Sequence, residues 1–329
     1  MSGGWVPYHL RWNKAIDRSI FMEFLIKLNA FRNLDSYSYI GFGAIHMEDF
    51  KLVHSLFSIS DLTCIEQDLI IHNRQKFNRP LGCLKFENIT SGDFITEFFP
   101  EKNSIIWLDY ANPRQIGDQI REFQSILPKM SRYDVIKVTL NANPNSLADV
   151  NNPQLKGNQL FDQRLQVLQQ RLSGNLPSTV TSEFMNIKRL PVALCHVLEF
   201  ASKRALGRHS NLVYYPVNSF VYADSNHQML TVTGIMLNSG EEEEFIERAG
   251  LNNWEYMYTP WGEPLKIDIP DLTIRERMAI DSWLPCEDPT AIIDQLSILF
   301  DEDEEKSLRK LESYIKYYRH YPFFSKVSV

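Results

Sequence analysis

The stretch Tyr39–Phe50, YIGFGAIHMEDF, runs a β-rich segment into two closely spaced glycines and out into acids and apolar residues at helical spacing. Glycines at 41 and 43 let the backbone turn sharply and let another group approach it closely. A helix beginning near Met47 would aim its free amides at the same spot. A plain strand-to-helix corner would use the same residues, so the reading turns on what the following strands bring to this end.

The flanking sequence alternates in a regular way. NKAIDRSIFMEFLIKLNAF (13–31) places Ile16, Ile20, Phe21, Phe24, Leu25 and Leu28 at helical spacing. YSYIGF, LTCIEQ, LGCLKFEN, SIIWLDY and YDVIKVTLN read as strands, and MEDFKLVHSLF, DLIIHNRQKF, SGDFITEFF and NPRQIGDQIREFQSIL read as the helices between them. The strands are apolar throughout rather than alternating, which is the pattern of a mostly parallel sheet with helices on both faces. Ligands in such sheets bind at the carboxyl ends of the strands, near the point where the strand order reverses. After a polar loop at 144–158 and further helices over about 159–207, the run 212–237 reads as an antiparallel hairpin. The remainder from 240 is expected to be mainly helical, with an aromatic-rich link, WEYMYTPWGEPLKIDIP.

Composition bounds the function. The 329 residues are 44% hydrophobic and carry a net charge of −7, unevenly placed: residues 241–329 hold 20 acids against 10 bases, residues 1–240 hold 21 against 24. An acidic end opposes non-specific nucleic-acid binding, while GEEEEFIER and FDEDEEKSLRKLESYIKYYRHY read as solvated helix starts with acids first and bases later. Four cysteines lie far apart with no CxxC pair, which argues for a reducing interior. MSGGWVPYHLRW lacks the basic and apolar regions of a secretory signal. No apolar run approaches the roughly 18 residues that span a bilayer. A cytoplasmic protein without a membrane partner is expected. His46, Glu48, Asp49 and His54 do not have the spacing of zinc ligands on a helix, so no metal is expected. GxSxG, Walker and HExxH motifs are absent.

Candidate site residues follow from the strand ends. Strand two ends in Glu66, 23 residues beyond Gly43, the separation at which an acid accepts hydrogen bonds from ribose hydroxyls in nucleotide-binding sheets. Strand three ends with Glu87 and Asn88, either of which could approach an adenine edge in such a sheet. Strand four ends with Asp109 and Tyr110. Lys14 and Arg18 lie four apart on one helix face, and with Arg79 they make a basic wall suited to a phosphate or carboxylate substrate.

A glycine loop after strand one, an acid after strand two, a polar pair after strand three and an acid-aromatic-proline loop, LDYANP, after strand four together resemble class I S-adenosylmethionine (SAM)-dependent methyltransferases of Rossmann-like fold. HLRWNKAIDR, YIGFGAIHMEDF and WLDYANP also resemble bacterial O-methyltransferases. The likeness covers residues 9–145 well and the hairpin moderately. It implies a methyltransferase-like α/β domain over 1–239, with the N-terminal helix 13–31 included, and a mainly helical region over 240–329. It implies SAM as cofactor, held by Gly41, Gly43, Glu66, Glu87 and Asn88. Asp109 and Tyr110 would be catalytic, and Lys14, Arg18 and Arg79 would bind a small-molecule or nucleotide-like substrate.

Two departures stand out. The family pattern is acid-x-Gly-x-Gly-x-Gly, whereas Tyr39 stands in the acid position here and Ile45 in that of the third glycine. They keep a second reading open: a non-catalytic, methyltransferase-like ligand-binding module in a multiprotein bacterial system, such as a defence system, with the acidic C-terminal region contacting a protein partner.

Overall fold

The computed structural model describes residues 11–147, 155–207, 211–224, 227–257, 260–286 and 288–322. The first ten residues, the centre of the 144–158 loop and the tip of the hairpin lie outside the described residues.

The alternation legible in the sequence is the alternation observed. It runs α1 (Trp12–Asn29), β1 (Ser38–Gly41), α2 (Glu48–Phe57), β2 (Asp61–Ile65), α3 (Leu69–Phe77), β3 (Leu84–Glu87), α4 (Ser91–Glu97), β4 (Ser104–Asp109), α5 (Ile116–Ile126) and β5 (Val135–Asn141). Two further helices, α6 (Gly157–Leu172) and α7 (Leu190–Leu206), lead into the hairpin β6 (Leu212–Asp224) and β7 (His227–Asn238). The C-terminal part holds α8 (Glu242–Arg248), β8 (Leu265–Ile267), α9 (Ile274–Asp281), α10 (Pro289–Leu296) and α11 (Glu304–Tyr317). It is mainly helical, as expected, but the stretch read as a link contributes β8.

All eight strands form one sheet in the order β3-β2-β1-β4-β5-β7-β6-β8. β1 to β5 run parallel, β7 lies antiparallel between β5 and β6, and β8 adds parallel to β6. The sheet is therefore mostly parallel and Rossmann-like, closed by the antiparallel hairpin. Its two faces carry separate apolar cores. Tyr39, Leu62, Trp107 and Val135 face α1, α2 and the C-terminal helices. Ile40, Ile106, Ile136 and Val138 face the side of α5, α6 and α7.

The six apolar residues expected on the inner face of α1 are each at most 1% exposed. The helix also buries Lys14, Asp17 and Arg18, because it lies between the sheet and the C-terminal segment rather than on an outer surface. Asp17 Oδ1 accepts hydrogen bonds from Lys137 Nζ on β5 at 2.8 Å and from Thr231 Oγ1 on β7 at 2.9 Å. The ammonium lies 5.1 Å from the Trp107 ring centre and 5.3 Å from that of Phe21. Burial pushes the Lys137 pKa down, and the Asp17 carboxylate opposes that shift. On its other side α1 meets the C-terminal segment, where Glu23 accepts from Trp254 Nε1 at 3.0 Å and Ser19 Oγ bonds His320 Nδ1 at 2.9 Å.

Removing one partner of a buried ion pair strands the other charge, at a cost of about 3–5 kcal/mol, whereas an apolar pair of similar volume is tolerated. Asp17→Ala is therefore expected to lose about that much stability in urea unfolding, and a combined Asp17→Leu, Lys137→Met variant should recover most of it.

Candidate active site at the carboxyl ends of the strands

β1 pairs with β2 on one side and with β4 on the other, so the order reverses there. The loops that follow β1 and β4 diverge and leave a cleft of ≈ 360 Å³. The switch-point rule places a ligand at this spot.

The floor is the glycine corner. Gly43 has φ +64, and a Cβ there would stand 2.7 Å from Phe50 Cε2 and 3.0 Å from Cys64 Sγ, so the position demands glycine both sterically and conformationally. Gly41 is different: a Cβ would meet Asp49 Oδ2 at an ordinary 3.5 Å, and the residue lies buried beneath the cleft instead of lining it. Ala44 and Met47 also adopt left-handed backbone, at φ 44 and φ 48. Such strain persists only where the surroundings over-determine it. Here buried Gln75 of α3 donates through Nε2 to the carbonyls of Phe42 (3.1 Å) and Ala44 (3.0 Å), and Cys64 Sγ also donates to the Phe42 carbonyl.

Tyr39, in the position where the resembling family has an acid, is fully buried with its ring edge-on to Phe50. Its hydroxyl donates to Asp49 Oδ2 at 2.6 Å. Asp49 lines the cleft while 8% exposed. Burial raises its pKa against the pull of the Arg18 guanidinium. Burial and the adjoining carboxylate push the Tyr39 phenol well up.

Opposite stands the strand-four loop. Asp109 Oδ2 receives Lys14 Nζ at 2.7 Å. Burial alone would raise the Asp109 pKa, but the Lys14 ammonium, with help from Thr139 and Arg18, carries it below the usual carboxylate value. Tyr110 packs edge-on against Phe42 and donates its hydroxyl to Glu122 Oε2. Burial, then that carboxylate, pushes its pKa well up. Asn112 caps the turn before α5 by accepting from Arg114 N, as Asn-Pro implied, and its backbone carbonyl takes a 2.7 Å bond from Gln119 Nε2.

The structure thus gathers Lys14, Arg18, Gly43, Glu66, Asp109 and Tyr110 around one cleft. Glu66 Oε1 also accepts from Asp68 N at 2.8 Å, while Asp68 itself caps α3. Other expected residues lie elsewhere. Asn88 sits one layer back, donating through Nδ2 to the carbonyls of Glu66 (2.8 Å) and Gln67 (3.2 Å), and the Glu87 side chain is exposed. The loop after β3 reaches the cleft through Ile89, Thr90 and Ser91 instead. Arg79 precedes β3 and so belongs to the amino ends of the strands, away from the cleft; its guanidinium donates to the carbonyls of Leu81 and Gly82. Sequence reasoning missed Asp49 and Glu122 as cleft residues. The signal for Asp49 was a tyrosine in an acid position with a carboxylate in the first turn of α2. Among the described residues no three His, Cys, Asp or Glu side chains are grouped as metal ligands, and His54 Nδ1 bonds the Ile59 carbonyl at the far end of α2. Among the described residues the cysteines form no disulfide.

A family model described as Putative O-methyltransferase matches residues 6–329. The chain belongs to that family. No curated protein matches it. Among solved structures, this O-methyltransferase family member is similar to the O-methyltransferase from Bacillus cereus solved with S-adenosylhomocysteine (SAH), at 11% identity and a TM-score of 0.38, over 67% of this chain and 80% of that one. It is also similar to the N-methyltransferase NodS from Bradyrhizobium japonicum, at 9% identity and a TM-score of 0.33, over 67% of this chain and 97% of that one.

Lys14→Met removes the ammonium that holds Asp109 ionised and leaves the burial penalty unopposed by its nearest cation. In a carboxyl NMR titration the Asp109 midpoint is expected to move from below the ordinary 3.8 to above it. An unmoved midpoint would show that Lys14 does not set it.

Proposed function

We propose that the chain is a SAM-dependent methyltransferase acting on a small-molecule acceptor in the cytoplasm. The observation that carries this reading is the convergence of the Gly43 corner, Glu66 and the Lys14–Asp109 pair on one cleft at the switch point, in a chain of the O-methyltransferase family. The cleft fits the cofactor chemically. The backbone at Gly43 has no side chain to bar approach, and the carboxylates of Glu48, Asp49, Glu66 and Asp109 outnumber the cations Lys14 and Arg18 along its walls, which suits a cationic sulfonium.

When bound, SAM supplies a methyl group activated by a positively charged sulfur. The protein's task is to place the acceptor in line with it. Glu66 would accept from the ribose hydroxyls. Ile89, Thr90 and Ser91 would flank the adenine, with Asn88 acting behind them by holding the Glu66 and Gln67 carbonyls; Glu87 takes no part. Gly41 supports the corner from below. Asp109, kept ionised by Lys14, would accept a hydrogen bond from the acceptor's O–H or N–H and orient its lone pair toward the methyl group. Tyr110 would stack along the acceptor, its hydroxyl committed to Glu122. Arg79 is too far round the sheet to contribute. We assign this chemistry to residues 1–239 and give 240–329 the part of a brace on α1. No helix among the described residues is long and apolar enough to cross a membrane.

Calorimetric titration with SAM and SAH tests the reading. Micromolar binding is expected in the wild type, abolished in Gly43→Val and weakened by roughly 1–3 kcal/mol in Glu66→Ala, the scale of a lost hydrogen bond to a charged group. A wild type that binds neither ligand would overturn the proposal in favour of a non-catalytic interaction module.

A further inference from the structure

We propose that Asp49 and Arg18 form a clamp for the α-amino-acid end of the cofactor, Asp49 taking its ammonium and Arg18 its carboxylate. The inference rests on the SAM-binding reading above and names the part of the cleft that reading leaves unassigned. Both side chains line the cleft, and both are only 8% exposed. Opposite charges buried this deeply need partners, and the protein supplies them incompletely. Arg18 meets Glu48 at 3.5 Å through Nη1, while its buried Nε has no hydrogen-bond partner among the described residues. Asp49 accepts from the Tyr39 hydroxyl on Oδ2 and from its own backbone amide, and no cation lies in salt-bridge contact with it among the described residues. Lys14, the other cation of the wall, is already occupied by Asp109 at 2.7 Å.

The geometry of the elements suits a ligand with two different ends. Glu66 and the Ile89–Ser91 loop stand on the β2–β3 side, suited to a nucleoside. Arg18 of α1 and Asp49 of α2 stand on the other side of the Gly43 corner, where an acid and a base lie ready for a zwitterion. The tyrosine at position 39 then has a function. The carboxylate that the family pattern places on β1 is delivered here from α2, and Tyr39 is the positioning residue that holds it over Gly41, 3.5 Å from where a Cβ would be. Burial raises the Asp49 pKa, and an arriving ammonium would favour the ionised form.

The test compares three ligands by calorimetry: SAH, its decarboxylated analogue S-adenosyl-3-thiopropylamine, and 5′-methylthioadenosine, which lacks the amino-acid end. The wild type is expected to bind SAH roughly 10- to 100-fold more tightly than methylthioadenosine, the decarboxylated analogue falling between, as expected for lost hydrogen bonds to charged groups. Asp49→Asn should weaken SAH and the decarboxylated analogue and leave methylthioadenosine unchanged. Arg18→Gln should weaken SAH alone, and Tyr39→Phe should repeat the Asp49 pattern in smaller measure. Equal wild-type affinity for SAH and methylthioadenosine would overturn the clamp whatever the variants do, as would a loss shared equally by all three ligands in both variants. A wild type that binds none of the three overturns the methyltransferase reading itself, a result distinct from equal binding.

Discussion

The Asp17 carboxylate fixes the molecule's geometry. An apolar helix wrapped on nearly all sides can rotate or slide at small cost, since hydrophobic contact is not directional. Asp17 removes that freedom, because its Oδ1 must meet Lys137 on β5 and Thr231 on β7 together. Residues at i−3 and i+1 then point where the helix repeat sends them, and Lys14 and Arg18 arrive at the cleft. The ion pair need not add net stability to matter; it sets the register from which the basic wall follows.

Two carboxylates that line the cleft are driven apart in their titration. Asp109 lies against an ammonium and stays ionised; Asp49 lies against a phenol in a buried niche and holds its proton more readily. Paired titratable groups with opposed environments mark divided roles. Under the proposed function Asp109 would orient the acceptor's hydroxyl or amine, and Asp49 would receive the cofactor's ammonium. The division depends on neighbours from four elements: Lys14 and Arg18 of α1, Tyr39 of β1, Asp49 of α2 and Asp109 of β4.

Much of this was legible in the sequence. Unbroken apolar runs between helical ones specify a doubly covered parallel sheet, and the four-residue spacing of Lys14 and Arg18 put them on one face. Strand-end logic pointed to Glu66, Asp109 and Tyr110, which line the cleft. It failed where a loop's path, not its residue type, decides. Asn88 folds back onto carbonyls of the neighbouring loop, so the next three residues meet the cleft. Arg79 was grouped with the wall because basic residues cluster around it, but a residue just before a parallel strand belongs to that strand's amino end. Asp49 escaped because its pairing with Tyr39 spans a corner whose shape depends on Gln75, far along the chain.

The helix that furnishes the cationic wall is made well before the groups that anchor it. Asp17 lies 120 residues before Lys137 and 214 before Thr231. Contacts of such separation form slowly and only after much of the chain is available. A nascent chain halted before the hairpin holds the glycine corner, Glu66 and Lys137 but lacks Thr231, the second partner that fixes α1. The register of α1, and with it the cleft's charge pattern, is therefore complete only once the hairpin has joined the sheet.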